Sequence, residues 1–177
     1  VEVARGLPSK LSLHVTTQCN YRCLMCFGGE QHTGREHMDA SMLAALEPLF
    51  PTATEVLLVG GEPLLYRHLK ECIARIARHG AEISFITNGS LLKRDLAAFL
   101  VEAGVGRINV SMDAGTPATY KAIRGGDFLR VARNVAELSL EKLRRGRTTP
   151  RLHFNFVAMR RNLAELPRLV TLAAELG

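Results

Sequence analysis

The sequence of 177 residues is short of cysteine and aromatic residues and contains no long hydrophobic run. No apolar run approaches the ~20 residues that a helix needs to cross a bilayer, so no membrane span is predicted. The four cysteines are too few for a disulfide scaffold of this size. Three of them crowd into one short segment, which in a reducing compartment favours a metal site over disulfides. We therefore expect one globular domain with an apolar core.

The chain also lacks an initiator methionine and an apolar signal-peptide core. We expect residues 1–177 to be a single domain, cut from a longer protein that resides in the cytoplasm. No internal linker, tandem repeat or low-complexity tract divides it.

The net charge of the chain excludes few classes of ligand. The net charge is +6 and the pI is near 9.5, which permits an anionic ligand or RNA without requiring one. The densest basic run, Arg144-Arg145-Gly146-Arg147, has no interleaved aromatic residues. We interpret it as a solvated loop beyond a helix end, which does not favour nucleic acid as a partner.

Five apolar or alternating segments are predicted to be strands, each followed by an amphipathic helical stretch. The predicted strands are Leu11–Val15, Glu55–Val59, Glu82–Thr87, Arg107–Met112 and Arg151–Val157. Helical spacing of apolar residues predicts helices around 42–49, 65–76, 92–100, 128–138 and 166–176. Cys72 lies in the apolar stripe of the second helix, which indicates a buried hydrophobe and not a further metal ligand.

Strict strand and helix alternation predicts parallel strands with right-handed crossovers. An open doubly wound sheet and a complete or partial β/α barrel both satisfy it. One strand face carries polar residues such as His14, Asn109 and His153, whereas the other is mostly apolar. A closed eight-stranded barrel fills its interior with apolar side chains, so this polar face favours a wider, partly open barrel that holds a ligand.

Unusual motifs follow the strands, at the edge where parallel α/β folds bind ligands. Cys19-Asn-Tyr-Arg-Cys23-Leu-Met-Cys26 follows the first strand, and Gly60-Gly61-Glu62-Pro63 follows the second. Three thiolates can bind three irons of a cubane cluster and leave the fourth iron open, whereas structural zinc and electron-transfer clusters usually take four protein ligands. A zinc site and a plain Gly-Gly-Glu-Pro turn are the alternatives.

These motifs and the β/α units resemble the radical S-adenosylmethionine superfamily over essentially the whole chain. The resemblance implies an α/β fold, a partial TIM-like barrel with five β/α units of the usual six. It also implies that Cys19, Cys23 and Cys26 bind a [4Fe-4S] cluster, which reductively cleaves S-adenosyl-L-methionine to methionine and a 5′-deoxyadenosyl radical. A reductant such as flavodoxin or ferredoxin is the implied partner.

The resemblance assigns the remaining cofactor contacts as well. Residues Gly60, Gly61, Glu62 and Pro63 are expected to bind the methionyl amine. Ser111 and Arg124 are expected to hold the carboxylate, for which the guanidinium fork is suited, with a surface arginine as the alternative. Asn88 and Asp113 are expected to reach the ribose hydroxyls, and Asn155 and Val157 to lie beside the adenosine.

The segments from Ile108 to Tyr120, from Ile123 to Gly126 and from Asn155 to Pro167 resemble the branch that is often followed by a SPASM-type domain. That branch favours a peptide or protein substrate. The same chemistry on a small molecule (a lipid, sugar or cofactor precursor), a non-catalytic iron–sulfur module and an RNA-modifying enzyme are the alternatives. We also expect the chain to stop before a sixth strand, so that the edge of the fifth strand is exposed.

Overall fold

The computed structural model describes residues 6–27 and 35–177. Within these ranges strands and helices follow one another along the chain. The strands are β1 (Lys10–Thr16), β2 (Glu55–Gly60), β3 (Glu82–Thr87), β4 (Arg107–Ser111) and β5 (Arg151–Asn155). The α-helices are α1 (Ala40–Leu46), α2 (Leu69–Ala77), α3 (Arg94–Glu102), α4 (Pro117–Arg124), α5 (Phe128–Arg144) and α6 (Leu166–Leu176). Short 3-10 helices span Glu47–Thr52, Pro63–Leu65 and Leu163–Glu165.

The strands form one parallel sheet in the order β1-β2-β3-β4-β5, which is also their order in the sequence. Each neighbouring pair is joined by at least one helix, as parallel strands require. This arrangement confirms the predicted α/β fold, an open sheet of the partial TIM-barrel type with five β/α units. The carboxyl ends of all five strands lie along one edge of the sheet.

The two faces of the sheet differ as the alternation predicts. Leu58, Phe85 and Val110 are fully buried in the core between the sheet and the helices. Ser12 and His14 on the opposite face are exposed. Among the described residues the helices therefore pack on the apolar face, and the opposite face is open at Ser12 and His14.

The observed helix boundaries differ from the predicted ones where proline or tertiary contacts override the apolar spacing. Asp39 accepts a hydrogen bond from the Met42 amide at 2.8 Å and starts α1. Pro48 cannot donate a backbone hydrogen bond, and the chain continues as a 3-10 helix beyond Leu46. Leu65, expected in the second helix, lies in the 3-10 helix that follows the Gly-Gly-Glu-Pro turn.

Helix α4 is absent from the sequence-based expectation, which placed one helix between β4 and β5. Its start carries ordinary signals, because Thr116 accepts from the Thr119 amide and Pro117 occupies the first turn. Its end is marked by Gly125, whose φ of 70° is the left-handed conformation that terminates helices. The missed helix matters, because Arg124 is its last residue.

Two smaller predictions are confirmed. Cys72 is fully buried on α2. The basic run begins at the end of α5, where Arg144 pairs with Glu137 at 2.8 Å and Arg145 pairs with Glu102 at 3.1 Å. Both arginines thus form ion pairs with carboxylates of this chain.

Among the described residues, no helix is long and apolar enough to span a membrane.

Candidate functional site

A cleft of about 250 Å³ opens at the carboxyl ends of the strands. Nine of the residues predicted for the site line it: Cys19, Cys23, Cys26, Gly60, Gly61, Glu62, Asn88, Ser111 and Arg124. The segments that supply them are far apart in the sequence, and the parallel sheet brings them together because every strand ends at the same edge.

The three cysteines follow β1 in one loop. Cys19 and Cys23 are half-buried and Cys26 is exposed, and all three are free thiols. The Cys26 amide donates to the Cys23 carbonyl at 3.1 Å, which closes a tight turn between them. Burial raises the pKa of the Cys19 and Cys23 thiols, and the Arg124 guanidinium opposes this at Cys23. Metal binding at this loop therefore releases thiol protons.

Asn20 anchors the cysteine loop to the end of β3. Its side-chain amide donates to the Ser90 hydroxyl at 2.9 Å, and its Oδ1 accepts from the Asn88 side chain at 2.8 Å. The Ser90 amide in turn donates to Asn88 Oδ1 at 2.9 Å. Ser90 belongs to this network, and α3 begins four residues later, at Arg94.

A second anchor holds the other side of the loop against the end of α4. The Leu24 amide donates to the Ile123 carbonyl at 2.9 Å. The Tyr21 ring packs edge-on against Tyr120 and lies over Gly126, where an added Cβ would be 2.2 Å from a ring atom. The loop is therefore clamped between β3 and α4.

We expect Asn20→Ala to loosen the cluster loop. The change leaves buried groups at Asn88 and Ser90 without partners, at a cost of about 1–3 kcal/mol. Denaturant unfolding of the metal-free chain measures this cost, and bleaching of the reconstituted cluster by a chelator should be several-fold faster. Arg22→Ala is the matched control, because within the described residues the hydrogen bonds of Arg22 Nη1 go to the Cys19 and Tyr21 carbonyls of the same loop. Equal behaviour of the two variants would contradict an anchoring role for Asn20.

The Gly60-Gly61 turn brings the end of β2 onto the backbone that leads into the cysteine loop. The Gly61 amide donates to the Thr16 carbonyl and the Glu62 amide to the Gln18 carbonyl, each at 2.8 Å. A Cβ at Gly60 would lie 2.2 Å from the Thr16 carbonyl oxygen, and one at Gly61 would lie 2.3 Å from that of Gln18. Only glycine permits this close approach.

Glu62 is almost fully buried, with 1% of its surface exposed, and its carboxylate accepts three hydrogen bonds. The donors are the Thr87 hydroxyl at 2.6 Å, the Asn88 amide at 2.7 Å and the Leu64 amide at 3.1 Å. Burial raises the pKa of Glu62, and these three donors oppose the rise. The carboxylate thus ties the turn after β2 to the end of β3, while its contact with a methionyl amine stays a prediction.

The other predicted contacts divide into two groups. Ser111 and Arg124 line the cleft, and so does Asn88, whose side chain is engaged with Asn20 and Ser90. By contrast Pro63, Asp113, Asn155 and Val157 are not among the cleft-lining residues. Pro63 is buried at the start of a 3-10 helix, and Asp113 is buried with its carboxylate turned to protein partners.

Four further residues line the cleft that the sequence-based expectation did not include: Phe27, Val59, Ile86 and Thr87. Val59 and Ile86 lie on the ligand-facing side of their strands, in register with His14 and Asn109. The period-two alternation contained this signal, but attention to polar side chains missed the apolar ones on the same face. They give the cleft an apolar wall beside the cysteine loop.

The donor set fits an iron–sulfur cubane with one open iron. Three free thiols border one cleft, and the part of the chain that the structure describes holds no three His, Cys, Asp or Glu side chains converging on a single ion. A cubane needs no such convergence, because each thiolate binds a different iron. Cys19, Cys23 and Cys26 would hold the cluster, with the rest of the cleft free for a cofactor.

A parallel β/α sheet with three free thiols at the carboxyl edge of its strands fits the core of an iron–sulfur protein. The sequence model described as the Radical SAM superfamily matches residues 13–171, and the chain belongs to that superfamily. Enzymes of that superfamily work with a [4Fe-4S] cluster and S-adenosylmethionine.

Two relatives by sequence have closely similar names. The chain is 35% identical to GTP 3′,8-cyclase of Caulobacter vibrioides over 172 residues, which cover 90% of this chain and 47% of that protein. It is 32% identical to the probable GTP 3′,8-cyclase of Sulfolobus acidocaldarius over 169 residues, which cover 93% of this chain and 51% of that protein. The chain thus spans about half the length of these relatives.

Solved structures show the same fold at lower sequence identity. Streptococcus suis SuiB bound to precursor peptide SuiA superposes with a TM-score of 0.77 at 17% identity, over 96% of this chain and 37% of that chain. The structure of anSMEcpe with bound AdoMet has a TM-score of 0.76 at 20% identity, over 94% of this chain and 48% of that chain. At such identities the likeness establishes the fold alone.

Proposed function

We propose that the chain is the radical SAM core of an enzyme that acts on a small molecule, a purine nucleotide such as GTP. This replaces the peptide or protein substrate that the sequence motifs favoured. The observation that carries the proposal is the 35% identity to a GTP 3′,8-cyclase across 90% of the chain. A further probable GTP 3′,8-cyclase matches at similar identity over most of the chain.

The peptide substrate has weaker support. It rests on motifs shared across a branch with mixed substrates and on a solved structure with a bound precursor peptide, which is 17% identical to this chain. A core fold is common to enzymes with different substrates, so fold likeness does not distinguish them. The non-catalytic iron–sulfur module loses its support, because the chain belongs to a superfamily of enzymes.

The residues of the cleft suit the proposed role. The three thiolates would bind the cluster, and Gly60 and Gly61 leave backbone close to its loop without side chains in between. Arg124 places a guanidinium on the cleft wall, where it would take the cofactor carboxylate together with Ser111. When bound, the cluster and cofactor supply one-electron cleavage of a sulfonium bond. We also propose a small one-electron donor, such as flavodoxin or ferredoxin, as reductant.

Isotope transfer tests the substrate. Joining C3′ to C8, as the relatives' name describes, requires loss of the C3′ hydrogen, so GTP deuterated at C3′ should transfer deuterium to 5′-deoxyadenosine. We expect GTP-stimulated release of deuterated 5′-deoxyadenosine from the anaerobically reconstituted, reduced chain. ATP deuterated at C3′ is the matched control for base recognition.

Release of unlabelled 5′-deoxyadenosine that GTP neither stimulates nor labels would overturn the nucleotide proposal. It would leave membership of the superfamily untouched, since cleavage of S-adenosylmethionine would still occur.

A further inference from the structure

Asp113 is the second residue after β4 and is buried, with 2% of its side chain exposed. Its two carboxylate oxygens have different partners. Oδ2 pairs with Nη1 of Arg124. Oδ1 accepts a hydrogen bond from the Val157 backbone amide at 2.7 Å. One carboxylate therefore joins the end of α4 to the segment that follows β5.

Asn162 completes this junction and is itself fully buried. Its side-chain amide donates to the Asp113 and Val157 carbonyls, each at 2.9 Å. Its Oδ1 accepts from the Met159 amide at 2.7 Å. These hydrogen bonds attach the loop after β5 to Asp113. They fix the position of Asp113 between that loop and Arg124.

Arg124 is the member of this group that reaches the cleft. It is 8% exposed and lines the cleft, and its buried Nε has no hydrogen-bond partner among the residues that the structure describes. Its backbone carbonyl faces the Cys23 thiol at 3.9 Å. A buried guanidinium needs a compensating charge, and Asp113 supplies it while leaving part of the guanidinium fork free.

We propose that Asp113 is a positioning residue: it acts through Arg124, which it holds against the cleft wall for an anionic group, and it does not contact the cofactor ribose. The burial of its carboxylate and its absence from the cleft lining carry this inference. The inference rests on the proposed contact between Arg124 and the cofactor carboxylate, and is independent of the substrate.

Two ligands distinguish positioning from ribose contact. S-adenosylmethionine carries a carboxylate and a ribose, whereas 5′-deoxyadenosine keeps the ribose and adenine but lacks the carboxylate. With the reconstituted chain, we expect Asp113→Asn to weaken S-adenosylmethionine binding about tenfold in calorimetric titration, because Arg124 loses its charged partner. The affinity for 5′-deoxyadenosine should be unchanged. Equal weakening for both ligands would overturn the proposal in favour of ribose contact.

A double-mutant cycle gives an independent test. Arg124→Gln alone should weaken S-adenosylmethionine binding, and adding Asp113→Asn to it should weaken binding no further. Additive losses would show that Asp113 acts on the ligand by another route. Asp95→Asn, an exposed carboxylate on α3 without an ion pair in the described ranges, controls for the loss of one negative charge.

The same set of variants also separates a loss of affinity from a loss of folding stability. Asp113→Asn leaves a buried guanidinium without compensation, whereas the double variant removes both charges. We expect the double variant to recover thermal stability relative to Asp113→Asn while its S-adenosylmethionine affinity stays weak. Recovery of affinity along with stability would refute the proposal. Failure of the nucleotide substrate would affect neither titration.

Discussion

Alanine at Cys19, Cys23 or Cys26 is expected to abolish the visible absorbance of the reconstituted cluster, and alanine at Cys72 is expected to preserve it. The three loop cysteines line one cleft beside the Gly60-Gly61 turn. Each thiolate would hold a different iron, so the loss of any one would leave two protein ligands for the cubane. Anaerobic reconstitution with iron and sulfide, followed by absorbance and iron analysis, measures the result.

Cys72 is the matched control, because it is a fully buried thiol whose pKa burial raises to about 12. We expect Cys72→Ala to cost about 1 kcal/mol of folding stability through lost packing. In the metal-free native chain, iodoacetamide at neutral pH should modify the three loop cysteines and spare Cys72 until the chain unfolds. A normal cluster spectrum in Cys23→Ala would refute the ligand assignment.

Gly61→Ala is expected to have the second large effect, the loss of both stability and cluster. The new Cβ would meet backbone atoms of Gln18 at 2.3 and 2.5 Å, immediately before Cys19. Backbone atoms cannot avoid the new Cβ by a rotamer change as a side chain can. The end of β2 and the cysteine loop must therefore separate. We expect a destabilisation of about 3 kcal/mol, at the upper end for an overpacked site. Denaturant unfolding and iron content per chain are the measurements.

Gly106→Ala provides the control, because at this position the added Cβ would approach a side chain and not backbone. Its added Cβ would meet side-chain atoms of Glu82, the nearest at 2.4 Å. That side chain can move at the expense of its ion pair with Arg151, which is worth at most about 1 kcal/mol at an exposed position. We expect a full cluster complement in Gly106→Ala. A cluster loss as large as in Gly61→Ala would show that the effect is general strain and not displacement of the cysteine loop.

Local sequence pattern was sufficient for much of the fold. The period-two segments placed all five strands within about two residues, because the alternation of buried and exposed side chains is a property of each strand by itself. Apolar spacing located the long helices for the same reason. Helix α4 was missed although Thr116, Pro117 and Gly125 are recognisable boundary signals, since its eight residues lie close before the stronger pattern of α5.

The chemistry of the site was likewise carried by short motifs. The spacing of Cys19, Cys23 and Cys26 indicated three ligands, and Gly60-Gly61 indicated a close approach. Both motifs act through neighbours in the chain, and their position after parallel strands predicts that they share one edge of the sheet. The structure brings them together in one cleft.

Tertiary structure decided which polar residues face the ligand and which hold others in place. Asp113 has the residue type and strand position of a ligand contact. Its carboxylate instead pairs with Arg124 and accepts a hydrogen bond from the amide of Val157, which lies 44 residues further along the chain. Asn20 meets Ser90 across 70 residues, and no local pattern encodes that pairing. The helices, the strands and the cysteine and glycine motifs can be predicted from the sequence because they depend on near neighbours, whereas the partners of buried polar groups depend on how distant segments pack.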